Sequence, residues 1–128
     1  MNNNRRHSEA SERFAERRRR EDEATRLAVE VPRLATLKLE VQERNEGGVV
    51  GVEPAYVRRI VIERAPALFF LACGDSRCKD GGHDITRSVM QALRSGQTRF
   101  EGNDECNGSQ GSSQCHRILH YVGVATYS

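Results

Sequence analysis

Four cysteines fall in the C-terminal half of the chain as two pairs, Cys73 with Cys78 at a C-x4-C spacing and Cys106 with Cys115 at C-x8-C. Two separated pairs of thiolates can close a tetrahedron around one ion and tie distant segments together, as a structural zinc does. Disulfides compete for the same residues. The N-terminus, Met-Asn-Asn-Asn-Arg-Arg-His, carries charge with no apolar h-region behind it, so it does not read as a secretory signal and the expected compartment is a reducing cytoplasm. There a cysteine grouping favours a metal over disulfides. Because both spacings are wider than the paired C-x2-C knuckles of a zinc ribbon, other readings stay open: buried thiols acting as small hydrophobes, disulfides, or an iron–sulfur cluster cradled around Cys73 and Cys78. Zn2+ leads, with Cys73, Cys78, Cys106 and Cys115 as ligands and His83 and His116 near enough in sequence to replace one cysteine each.

The rest of the chain divides into an arm, residues 1–31, and a body, residues 32–128. From Arg5 to Val31 there is no Gly or Pro until Pro32 stops the pattern, which predicts a helix. Its apolar positions are sparse (Phe14, then Leu27 and Val31), and the pairs Glu9/Arg13, Glu16/Arg20 and Asp22/Arg26 stand four residues apart with the acid first. Such a helix is solvated along most of its length and docks on the body only through its last turns.

In the body, Ala35, Leu37, Leu39 and Val41 alternate with Thr36, Lys38, Glu40 and Gln42, the period of a half-buried strand. Tyr56 to Arg64 reads as a second strand, and the continuous apolar run Ala67 to Ala72 as a central one. Asp84 as cap, a stripe of Ile85, Val89, Ala92 and Leu93, and Gly96 as stop define the one packed helix. A short strand from Thr98 to Glu101, a loop from Asn103 to Gln114 and a last strand from Arg117 to Tyr127 complete the reading. The predicted fold is α+β, with a mostly antiparallel sheet of about five strands, a protruding charged helix and two cysteine loops stapled by a metal. If the last strand lies beside the central one, all four sulfurs meet at one end of the sheet. The helix N-terminus near Cys78 is expected to favour its thiolate.

Net charge is +2, from 20 basic and 18 acidic side chains spread along the whole chain, which gives only weak support to a nucleic-acid surface. The longest apolar stretch, Ala65 to Cys73, contains Pro66 and is too short to span a membrane. No P-loop, G-x-G-x-x-G, G-x-S-x-G or H-E-x-x-H occurs. His7 and His120 read as histidines without a role, and Glu101, Asp104 and Glu105 as solvated acids.

The segment Ala72-Cys73-Gly74-Asp75-Ser76-Arg77 locally resembles the C-x-D-S-R segment of β-carbonic anhydrases. That resemblance implies Cys73 as a zinc ligand and Asp75 with Arg77 as a dyad controlling the metal's open position. It covers about six residues, and the family's H-x-x-C ligand pair does not follow. The order helix, three strands, helix is also similar to that of double-stranded-RNA-binding domains, although the family's basic cluster is reduced here to Arg77, Lys79 and Arg87 among Asp75, Asp80 and Asp84. The expected function is a non-enzymatic binding module that meets a protein or ribonucleoprotein partner through its charged helix and sheet edge. A small zinc enzyme is the alternative, and an iron–sulfur or redox protein a further one.

Overall fold

The computed structural model describes residues 15, 16, 18–44, 56–74, 78, 81–110, 113–115 and 117–128. It combines helix and strand. Four antiparallel strands form the main sheet in the order β2 (Tyr56–Arg59), β1 (Leu34–Arg44), β8 (Ile118–Tyr127), β5 (Arg99–Glu105). Two two-stranded ribbons stand apart from it, β3 (Phe70–Ala72) with β4 (Gly82–Asp84) and β6 (Ser109–Gln110) with β7 (Ser113–Gln114).

The alternation expected of the first strand is present. Leu37, Leu39 and Val41 are buried while Lys38 and Glu40 are exposed. Ala35 leaves the pattern, because the register of β1 against β8 shifts between Leu34 and Thr36 and turns Ala35 to the exposed side. Facing them on β8 are Leu119, Tyr121 and Ala125, with Phe100 from β5. Two glycines let large rings settle on this face: a Cβ on Gly123 would overlap the Phe100 ring, and one on Gly102 would lie 2.6 Å from the Tyr121 hydroxyl. Helix α3 (Thr86–Arg94) covers the core with Val89, Met90, Ala92 and Leu93. It ends at Gly96, whose φ of +72° is the left-handed conformation a helix stop requires.

The apolar run Ala67–Ala72 is not a central strand. Only Phe70–Ala72 is extended, and it pairs with β4 outside the main sheet, so that sheet has four strands and not five. A short apolar run satisfies a ribbon packed under a helix as well as a sheet interior: Phe69 and Leu71 are buried here, and Ile85 N donates to Phe69 O at 2.9 Å. Three other boundaries move. The second strand stops at Arg59, β5 runs on through Asp104 and Glu105, and β6 and β7 occupy part of the expected loop.

The described part of the arm is helical in α1 (residues 18–23) and again in α2 (Leu27–Glu30), with the helix broken between them. Tertiary hydrogen bonds cause the break. Ala67 N donates to Thr25 O at 2.7 Å, Leu27 N donates to Ala65 O at 2.9 Å, and Arg26 bridges Pro66. Leu27 and Val31 dock on the core, but the contact is not confined to the last turns, since Arg20 also reaches the body through Asp84. The rest of the arm toward residue 1 lies outside the described residues, which include no helix long and apolar enough to cross a membrane.

Asp84 joins the arm to the body. Its carboxylate accepts from Thr86 N at 3.1 Å at the start of α3 and from Arg20 Nη2 at 3.0 Å. Burial pushes its pKa upward, but the hydrogen bonds from Thr86 and Arg20 outweigh that and hold it below the usual aspartate value. A carboxyl depressed on folding contributes stability that is present above its unfolded pKa and lost as pH falls through its folded one. The N-cap position itself is Ile85, one residue later than expected, and Asp84 is partly exposed. Asp84→Ala should therefore destabilise the protein only modestly near neutral pH, by less than about 1 kcal/mol. The difference from wild type should narrow below about pH 4. Chemical denaturation of both proteins across that range is the check, and a pH-independent difference would assign the loss to packing.

Candidate metal centre

The ends of three elements converge to make the site. Cys73 follows β3, where its N–H donates to Gly81 O at 3.3 Å and closes the loop that carries Cys78. Cys106 follows β5 and donates its N–H to Arg117 O at 2.8 Å, continuing the β5–β8 ladder by one step. Cys115 precedes β8, and its N–H donates to Gly108 O at 2.9 Å. Gly108 N in turn donates to Cys106 Sγ at 3.4 Å, a bond that stabilises a thiolate.

All four sulfurs lie within 4.8 Å of one another, with Cys78 Sγ 3.6 Å from Cys106 Sγ and Cys73 Sγ 4.0 Å from Cys115 Sγ. None is joined in a disulfide. Cys106 and Cys115 are buried, and Cys73 and Cys78 half-buried. Such a group could hold a metal ion. Bonds of about 2.3 Å to a tetrahedral zinc place sulfurs about 3.8 Å apart, so the two pairs bracket the separation one ion needs.

The meeting point is the one expected, but the route to it differs. The last strand lies between β1 and β5, and the cysteine of β3 is delivered by the ribbon with β4. The expected help from the helix N-terminus is not found. Strand β4 intervenes between Cys78 and α3, and burial, followed by hydrogen bonding to the Cys106 thiol, pushes the Cys78 thiol up to about 11. An ion entering the group must therefore displace protons.

Of the two histidines, His83 is fully buried in β4, with Nδ1 3.1 Å from Asp104 Oδ2. His116 lies outside the described residues, as do Asp75 and Arg77 of the carbonic-anhydrase-like segment and Lys79 of the basic cluster. Asp104 is not simply a solvated acid, since it is the partner of His83. Glu43 was not singled out from the sequence. Its Oε1 accepts from Gly74 N at 2.7 Å, and its Oε2 lies 2.5 Å from Arg117 Nε in an ion pair of side chains about nine-tenths buried. Strand parity carried the signal: Leu37, Leu39 and Val41 put Glu43 on the core face, and Phe100 does the same for Asp104. The ladder sets Glu43, Leu119 and Asp104 side by side in one row. Gly81 and Gly108 were also missed as site residues. A Cβ on either would run into the sulfurs of the cluster.

Away from the cysteines, a cleft of about 580 Å³ runs along α3, lined by Thr25, Glu30, Thr86, Arg87, Met90 and Arg94 among others. Its charges are those of an ordinary surface, with Arg94 already paired to Glu30 at 2.9 Å. Comparison with family models, with curated proteins and with solved structures finds no match for this chain.

Proposed function

We propose that the protein is a small binding module whose fold is stapled by one structural zinc on Cys73, Cys78, Cys106 and Cys115. The carrying observation is the mutual approach of four sulfurs from two distant loops, at separations that suit a single tetrahedral ion. An iron–sulfur cluster puts several iron and sulfide atoms between its thiolates and spreads them further, so the compact group favours a mononuclear centre. Four protein thiolates also close the shell, which favours a structural role over activation of water.

The open face of the main sheet supports the binding part of the reading. The register aligns Arg59, Lys38, Val124 and Arg99 in one row across all four strands, and Val57 and Val124 are exposed beside these cations. Lys38 and Arg59 are direct cross-strand neighbours. Although Glu40 and Glu101 stand in the next row of the face, a partner that supplied carboxylates or phosphates would relieve the repulsion along the cation row. Among the described residues this face offers no Phe, Tyr or Trp ring for bases to stack on, and its imidazole, His120, is engaged with Asn103 at 2.9 Å, so an acidic protein segment fits it better than single-stranded nucleic acid.

Elemental analysis of the purified full-length protein tests the metal directly. At least one zinc per chain, retained through gel filtration and released with loss of stability by a strong chelator, is the expected result. Stoichiometric iron would move the protein to the redox class. Absence of any bound metal after zinc loading would end the reading.

A further inference from the structure

We propose that Glu43, Cys73 and His83 form a second cation site beside the four-cysteine group, sharing Cys73 with it and taking a borderline divalent ion such as zinc. The proposal rests on the reading of the four cysteines as a metal centre. A carboxylate oxygen of Glu43, the Cys73 sulfur and a ring nitrogen of His83 lie within 4.8 Å of one another. The imidazole is wholly buried. Its Nδ1 is held by Asp104 at 3.1 Å, while Nε2 is buried with no hydrogen-bond partner. A buried polar atom left in this way is costly, and an ion is one of the few things that account for it.

The donor set strengthens the case. Asp104 occupies the Nδ1 side of the ring, so Nε2 is the nitrogen left to a further partner. A ring nitrogen, a carboxylate oxygen and, once the first ion is bound, a thiolate lie within 4.8 Å of one another. Together they repel unless a cation or a proton lies among them. Nitrogen, oxygen and sulfur donors in one set suit zinc, and the carboxylate behind the imidazole is the usual way a ligating histidine is oriented. Arg117 does not close the site. It engages Glu43 Oε2, and the two carboxylate oxygens together offer about four acceptor positions, of which Gly74 N takes another. Three protein donors leave the second ion a fourth position for an exchangeable ligand, unlike the first ion with its four thiolates.

The test is a zinc titration of the full-length, reduced protein against a chromophoric chelator, repeated on His83→Ala and Glu43→Gln. The glutamine keeps an acceptor for Gly74 N but lacks the charge. Wild type should bind two equivalents, the second at least tenfold more weakly, and each variant should bind one with the affinity of the first. Cobalt should report the same order, the first equivalent giving the strong thiolate-to-metal band and the second mainly ligand-field absorption. Saturation of the wild type at one equivalent overturns the second site and leaves the first intact. Two equivalents in wild type that persist in both variants also overturn it, and a protein that binds none removes the four-cysteine reading as well.

Discussion

Cys115→Ser is expected to abolish stoichiometric metal binding and to lower the melting temperature by more than about 10 °C, the shift that a loss of a few kcal/mol produces in a domain of this size. Cys115 is wholly buried, 4.0 Å from Cys73 Sγ, and anchored through its N–H to Gly108 O. A serine hydroxyl there is a poor zinc ligand, so three thiolates remain where four were required. An ion held at a thousand times its dissociation constant stabilises the folded state by about 4 kcal/mol, and the substitution removes that contribution. The variant should not unfold outright. Leu37, Leu39, Val41, Leu119, Tyr121 and Phe100 form the sheet's core without help from the cysteine loops. Wild type treated with a strong chelator should melt with the variant. A Cys115→Ser protein within 2 °C or so of the untreated wild type would show that the four thiols are packing groups and not ligands.

What the sequence revealed and what it hid follow from the range of the interactions concerned. Period-two burial along Leu37, Leu39 and Val41, the stripe Val89, Ala92, Leu93 and the stop at Gly96 are set by neighbours a few residues apart, and each is legible as pattern. The break between α1 and α2 is not. Residues 24–26 have every local reason to stay helical, and hydrogen bonds with Ala65 and Ala67, some forty positions away, override them. The misassigned central strand has the same origin. An apolar run reports that a segment is buried but not which element buries it, and Phe70–Ala72 found β4 instead of the main sheet.

The candidate site shows the same division. That four cysteines would meet could be argued from two pairs around a helix, because ligation makes the residue types themselves informative. Their supporting residues carry no such mark. Glu43 looks like one more exposed acid of a charged chain until strand parity turns it inward, and Asp104 looks solvated until β5 extends far enough to set it against His83. Parity was available from the sequence for both. It becomes persuasive only when the strand's full length is known, since a strand ending at Glu101 leaves Asp104 in a loop.

Gly81 and Gly108 are where backbone space limits the metal centre most sharply, and Gly108→Ala is expected to weaken zinc binding by at least tenfold and to lower the melting temperature as well. A Cβ on Gly108 would lie 2.5 Å from Cys78 Sγ, 2.5 Å from Gly81 Cα and 2.7 Å from Gly81 N, and one on Gly81 would overlap the sulfurs of both Cys78 and Cys106. Neither glycine needs a left-handed backbone, as Gly96 does, so the demand here is for space. Two of the three atoms near Gly108 are backbone, which cannot swing aside as the tip of a flexible side chain can. Relief must come from separating the two loops, and that pulls Cys78 away from Cys106. Gly96→Ala is the matched control. It meets nothing within 4 Å but sits at φ +72°, so it should cost about 1–2 kcal/mol of stability with zinc affinity unchanged. Affinity measured by competition with a chelator, alongside thermal unfolding, separates the two effects. Wild-type affinity in Gly108→Ala would mean that the loops are not held together by a shared ion, and the four sulfurs would then be neighbours without being ligands.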